Sequence, residues 1–109
     1  MITLCHINDI NDNHSKGFTL NERHFFAVKK YNAIHLYQNK CPHLGIQLEM
    51  VPDQFLDTSH SLIMCSMHGA LFRIEDGLCI SGPCLEQSLQ AIPFTIENDF
   101  ILVNETHLN

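Results

Sequence analysis

Cys41-Pro42-His43-Leu44-Gly45 and Cys65-Ser66-Met67-His68-Gly69 are the two stretches on which the reading of this 109-residue chain turns. Each offers a soft thiolate and a borderline imidazole at close range, and 21 residues (44–64) separate His43 from Cys65. Two cysteines and two histidines make one full ligand set for a metal centre that favours sulfur and nitrogen donors. Zinc takes such a set as a closed tetrahedral structural site. The spacing, Cys-x-His in the first stretch and Cys-x-x-His in the second, is an unusual grammar for zinc. Taken singly, a cysteine reads as a small buried hydrophobe and a histidine as a surface or core residue. Four of them at these spacings, with a glycine after each pair, read as a metal site.

The sequence around these stretches is short and β-like. Ile2 to Ile7 alternates weakly and reads as a strand, and Asn8 to Ser15 reads as a polar loop. Phe18 and Leu20 form a short apolar return. His24–Lys29 and Ala33–Tyr37 read as two strands joined at Lys30-Tyr31-Asn32, delivering the chain into the first Cys/His stretch. Pro52-Asp53 breaks the segment that follows, Phe55-Leu56 is a brief strand, and Ser61–Cys65 is a strand feeding the second stretch. Leu71–Ile74, the turn signal Asp76-Gly77 and Leu78–Ile80 read as a hairpin. Leu89–Ile92, Phe94–Glu97 and Phe100–Val103 add further strands, with a turn at Asn98-Asp99 and a short helical turn near Leu85–Leu89. Many short strands with regular turns and no long helical pattern predict an all-β sandwich or barrel.

Composition narrows the functional classes. Hydrophobic residues make up 45% and charged residues 17%, as in an ordinary globular domain. A formal charge of −6 with only six scattered basic residues excludes a nucleic-acid surface, which needs a basic patch. It suits a protein steered onto a basic partner. No run approaches the ~18 apolar residues of a membrane span, and the N-terminus lacks a basic region followed by an apolar one. A cytoplasmic location without a membrane partner is therefore expected. In a reducing compartment the five cysteines are expected as thiols. Cys5 is expected as a small buried hydrophobe. Cys79 and Cys84 flank Ser81-Gly82-Pro83 and are expected as free thiols near that turn.

From about Phe25 to Val103 the chain resembles the Rieske iron–sulfur family. The likeness rests on Cys41, His43, Cys65 and His68, on Gly45 and Gly69, on Ala70-Leu71-Phe72, on Asp76-Gly77 and on Ser81-Gly82-Pro83. In a Rieske 2Fe–2S centre one iron takes two cysteine thiolates and the other two histidine nitrogens, so each loop gives one ligand to each iron. The resemblance thus implies a 2Fe–2S cofactor held by Cys41, His43, Cys65 and His68. It also implies two ligand loops, and a third, proline-containing loop at Gly82-Pro83 closing over the cluster. The expected organisation is a single Rieske domain over 1–109 whose cluster-binding part runs from about 40 to 84. The remaining histidines, His6, His14, His24, His35, His60 and His107, lack such partners and are expected to be structural or solvent-facing.

Departures from one branch of the family sharpen the expectation. Rieske proteins of cytochrome bc complexes carry a further cysteine in each ligand loop, joined as a disulfide; those positions look like Ile46 and Met67. They also carry a Ser and a Tyr that hydrogen-bond toward the cluster; those positions look like Ala70 and Phe72. Hydrogen bonds to sulfur stabilise the more negative, reduced state, so their loss implies a potential near the low end of the range, roughly −150 mV rather than +300 mV. The resemblance therefore implies a Rieske-type ferredoxin. Such a protein passes single electrons from a flavin-dependent reductase to a terminal oxygenase or similar redox acceptor, and is not an enzyme by itself. No mononuclear-iron domain of an oxygenase is expected within these 109 residues. The alternatives are a nitrite-reductase-like small subunit or regulatory Rieske module, a redox sensor, and a structural zinc-binding domain.

Overall fold

Five consecutive residues, Phe25 to Lys29, are buried in the strand Arg23–Lys30, so this strand has protein on both of its faces. It organises the computed structural model, which describes residues 1–42, 45–67, 69–104 and 106. Numbered in chain order, the strands are β1 (Ile2–His6), β2 (His14–Leu20), β3 (Arg23–Lys30), β4 (Ala33–Gln38), β5 (Leu62–Met64), β6 (Leu71–Arg73), β7 (Cys79–Ser81), β8 (Thr95–Glu97) and β9 (Phe100–Val103). Among the described residues they form three antiparallel three-stranded sheets, ordered β1-β9-β8, β2-β3-β4 and β5-β6-β7. The sequence left sandwich or barrel open, and the sheets do not close into a barrel.

Alternation along β3 divides the interior in two. Phe25 and Ala27 pack with Leu36, Ile92, Ile101 and Val103, on the side of the β1-β9-β8 sheet. Phe26 and Val28 pack with Tyr37, Ile63 and Phe72, on the side of the β5-β6-β7 sheet, together with Cys41 and Cys65. Lys29, the charged member of the buried run, is satisfied because its Nζ donates to the Ile7 carbonyl at 3.1 Å.

Three hairpins turn in two residues, as the pairings Leu20↔Arg23, Lys30↔Ala33 and Glu97↔Phe100 require. At Asn21-Glu22, Tyr31-Asn32 and Asn98-Asp99 both central residues have φ between 50° and 67°. That is the turn whose twist matches paired strands, and an asparagine in each tolerates the left-handed conformation. The Tyr31-Asn32 and Asn98-Asp99 turns were expected. The turn at Asn21-Glu22 was not, because β2 runs from His14 through residues that read as loop. The β6–β7 connection is longer than a two-residue turn. Gly77 there has φ 73°, and a side chain on it would meet the Tyr37 ring at 2.9 Å. The Tyr37 hydroxyl in turn donates to the Ile74 carbonyl, docking this hairpin on β4.

Three further expectations are corrected. Leu89–Ile92 is not a strand; it touches β4 through a single bridge, Ala91 to Tyr37, with Pro93 ending the pairing. Residues 85–89 contain a turn and no helix. Cys5 is only half-buried, against the β1-β9-β8 side of the core, and burial followed by the nearby Asp9 charge pushes its thiol up. Of the histidines expected to be structural or solvent-facing, His14, His24 and His60 are exposed and His6 and His35 half-buried, whereas His107 lies outside the described residues.

The segment between the two Cys/His stretches is pinned across β2. Asp53 accepts from the Gly17 N–H at 2.8 Å and, through its carbonyl, from the Ser15 hydroxyl at 2.7 Å. Phe55 then stacks on Phe26, with ring centroids 4.3 Å apart and planes 4° apart. Replacing Phe55 by Ala is expected to destabilise the protein by about 3–5 kcal/mol. Urea unfolding followed by circular dichroism checks this, and a loss under 1 kcal/mol would mean that the segment does not depend on the stack.

Candidate metal centre

The two cysteine stretches fold alike. The Cys41 N–H donates to the Ile46 carbonyl and the Gly45 N–H returns to the Cys41 carbonyl, both at 2.7 Å. The Cys65 N–H donates to the Ala70 carbonyl at 2.9 Å and the Gly69 N–H returns to the Cys65 carbonyl at 2.8 Å. In each loop, then, cysteine bonds forward five residues and receives from four residues on. The donating residue is a glycine with φ 70° in one loop and 69° in the other, a conformation that glycine adopts without steric cost. A six-residue loop pulled tight at both ends turns its cysteine into the core.

Both cysteines are fully buried, in one apolar cluster with Leu48, Phe55, Ile63, Ala70 and Phe72. They are free thiols rather than a disulfide. Two buried thiols at the roots of two equivalent loops fit a sulfur-liganded iron site, since thiolate is the soft donor such a site needs. His43 and His68, the other two residues of the predicted set, lie outside the described residues. Among the described residues no group of three or more Cys, His, Asp or Glu converges on a metal-sized site.

Each loop is launched by a strand, β4 into the first and β5 into the second, and the second returns through β6. Asn39, between β4 and Cys41, closes the base of the first loop. Its Oδ1 accepts from the buried Leu48 N–H at 2.7 Å, and its Nδ2 donates to the Glu49 carboxylate at 2.8 and 3.1 Å. Nothing in the sequence separates this asparagine from a turn residue, because its partners lie nine and ten residues away and meet it only when the loop has folded. The loops are also joined to each other: the Ser66 N–H donates to the Leu48 carbonyl at 2.8 Å.

The third loop presses on the second. Gly82 has φ 106°, and a Cβ built on it would stand 2.8 Å from the Ala70 Cα. Two residues on, the buried Cys84 donates its S–H to Cys79 Sγ at 3.1 Å, and Cys79 donates to the Ser81 carbonyl at 3.3 Å. Burial foremost, and then the neighbouring sulfurs of Cys79 and Cys41, push the Cys84 thiol up to about 12. So Cys79 and Cys84 are free, as expected, but they pack sulfur to sulfur behind the first ligand loop. Ile46 and Met67 differ: Ile46 packs against the core, whereas Met67 is exposed, as is Leu85 on the third loop. A cleft of about 570 Å³ elsewhere, lined by His14, Asp53, Asp57 and His60 among others, contains neither cysteine. Its two imidazoles spend their Nδ1–H groups on the Asp12 and Asn13 carbonyls, at 2.9 and 2.7 Å.

Paired cysteine loops capped by a third loop, all carried on small antiparallel sheets, define a β-sheet metal-binding domain. The chain belongs to the Rieske [2Fe-2S] domain family, whose profile matches residues 1–100, and its cofactor is a Rieske-type 2Fe–2S cluster. No curated protein matches it at the sequence level. Solved structures share its fold. The ferredoxin of carbazole 1,9a-dioxygenase from Nocardioides aromaticivorans IC177 aligns with a TM-score of 0.74 and 18% identity, over 94% of each chain. The terminal oxygenase of carbazole 1,9a-dioxygenase from Novosphingobium sp. KA1 aligns at 0.76 and 16%, covering 92% of this chain and 28% of that one. A chain of the reduced complex between oxygenase and ferredoxin in carbazole 1,9a-dioxygenase aligns at 0.76 and 19%, covering 92% and 27%. The chain thus spans little more than a quarter of the latter two. Among its described residues no helix is long and apolar enough to cross a membrane.

The two glycines allow a contrast. Gly69→Ala meets no atom within 4 Å and carries only the cost of its left-handed backbone, ~1–2 kcal/mol. Gly82→Ala adds a backbone collision with the second loop, for about 2–4 kcal/mol in total, and should also speed iron loss. Unfolding midpoints and iron retention on the two variants test this; equal effects would show that the third loop does not bear on the second.

Proposed function

We propose that the chain is a soluble one-electron carrier whose cluster is held by Cys41, His43, Cys65 and His68. The observation that carries this reading is the equivalence of the two loops, each closing around a buried cysteine with a histidine two or three residues further on. Cys41 and Cys65 would supply thiolates to one iron, and His43 and His68 nitrogens to the other. When bound, the cluster would supply reversible one-electron chemistry.

The chain's own residues do the rest. Both cysteines are excluded from water, which keeps charge on sulfur from being screened. Neutral histidine in place of thiolate removes negative charge and raises the potential above that of an all-cysteine site. Ala70 and Phe72, both fully buried, offer no hydroxyl toward the centre, and this keeps the potential low within the Rieske range. Exposed Met67 and Leu85 put apolar surface on two of the three loops, while the net charge of −6 favours approach by a basic face. A flavin-dependent reductase as donor and a terminal oxygenase or similar protein as acceptor fit this arrangement. The likeness to a ferredoxin over 94% of both chains supports the carrier role. The whole of 1–109 then acts as one electron-transfer domain of a multicomponent system in the cytoplasm, without catalysis of its own.

Electron paramagnetic resonance of anaerobically purified, dithionite-reduced protein is the test, with iron, sulfide and zinc assayed on the same sample. A rhombic signal with an average g value below that of all-cysteine 2Fe–2S proteins is expected, with two irons per chain. A silent sample containing zinc and no sulfide would make this a structural metal domain. His43→Cys or His68→Cys should lower the midpoint or abolish assembly, and an unchanged midpoint would remove that histidine from the ligand set. Ala70→Ser combined with Phe72→Tyr should raise the midpoint; no rise would place the cause of a low potential elsewhere.

A further inference from the structure

The cleft of about 570 Å³ that contains neither ligand-loop cysteine is lined both by His14 and Ser15 of β2 and by Asp53, Asp57 and His60 of the segment between the two Cys/His stretches. His14 and His60 meet there with ring centroids 5.3 Å apart and planes 57° apart. With metal–nitrogen bonds of about 2.0–2.1 Å and a tetrahedral angle, two imidazoles on one ion have centroids about 5.2 Å apart. Spacing alone is also that of an ordinary ring contact. The hydrogen bonds separate the two readings. His14 Nδ1 lies 2.9 Å from the Asp12 carbonyl and His60 Nδ1 2.7 Å from the Asn13 carbonyl. A carbonyl only accepts, so each Nδ1 carries the proton and each neutral ring keeps its lone pair on Nε2. Fixing one ring nitrogen on a carbonyl is how a protein orients a histidine that ligates a metal through the other. Both residues are exposed, so an ion and its waters reach them.

We propose that His14 and His60 form a second metal site, separate from the cysteine loops, that takes one borderline divalent ion such as Zn²⁺ through their two Nε2 atoms. Imidazole suits such ions. Among the described residues no third Cys, His, Asp or Glu joins the pair, so water fills the remaining positions. The Asp57 carboxylate is occupied by the Ser59 hydroxyl and the Ser61 and Leu62 N–H groups; it and Asp53 contribute negative charge to the cleft. Binding exchanges two waters of the ion for two nitrogens; no electron moves and neither imidazole loses a proton. The ion ties β2 to the chain that enters β5, five residues before Cys65. The site stands independently of the cluster reading.

The experiment is calorimetric titration of the iron-loaded chain with ZnCl₂, with iron and sulfide assayed before and after. Wild type is compared with His14→Ala, His60→Asn and His24→Ala. Asparagine is chosen at 60 because it tolerates the φ of 58° found there, and His24 is an exposed histidine outside the cleft. Wild type and His24→Ala should bind one Zn²⁺ per chain at micromolar concentration. Binding should weaken at least about tenfold in His14→Ala and in His60→Asn, since losing a ligand costs no less than losing an outer-shell partner. Zinc should raise the unfolding temperature of wild type and not of those two variants. X-ray absorption at the zinc edge on wild type should show two imidazole nitrogens, oxygen and no sulfur. Equal affinity in all four chains, or binding only at millimolar zinc, means adventitious metal only and overturns the proposal, leaving the Rieske assignment intact. Sulfur at the zinc, or binding that requires loss of iron, overturns it as well. If a variant does not fold, the wild-type absorption spectrum decides by the same criterion.

Discussion

Each of the two central cysteines is held twice by its own backbone, through its N–H to the residue five on and through its carbonyl to a glycine four on. That double closure is the constraint from which the rest of the structure follows. It requires a left-handed residue at positions 45 and 69, which is why glycine stands at both. It also turns both thiols into an apolar interior. A protein that accepts such an arrangement must hold the two loops in fixed relation, and most of the remaining sequence does so.

The scaffold meets this demand with buried strands rather than with size. β3, covered on both faces, separates a core under the β1-β9-β8 sheet from the core that holds the cysteines. Asn39 closes the first loop at its base, the Ser66–Leu48 bond joins the two loops, and Gly82 lets the third loop rest on Ala70. The long segment between the loops is tied down by Asp53 and by the Phe26–Phe55 stack. Each contact links residues far apart in the chain, so the centre is a product of tertiary closure. A reaction that moves one electron benefits from this stiffness, because little reorganisation then accompanies the change of charge.

Sulfur is concentrated in this interior beyond the two ligand-loop cysteines. Cys79 and Cys84 complete a buried set of four, and Cys84 donates its S–H to Cys79 Sγ. Where hydroxyls are absent, a weak thiol donor in a water-free pocket gains strength from the low local dielectric. The core is therefore an electrostatic environment as much as a packing one.

The sequence by itself determined the β class, the strand order through the main hairpins, and the four candidate ligands, because these depend on local pattern and on spacing within a few residues. It also marked Gly45, Gly69 and Gly82-Pro83. Tertiary structure decided what depends on distant partners. The hairpin at Asn21-Glu22 formed because the polar start of β2, which reads as loop, pairs in register with β3. Leu89–Ile92, apolar enough for a strand, became a single bridge because Pro93 ends the pairing beside β4. Asn39 acquired its role only when Leu48 and Glu49 folded back to it, and Cys84 its sulfur partner only when the third loop brought it beside Cys79. Spacing can name the atoms that bind a metal; which groups surround them is set by chain segments that meet only in the folded core.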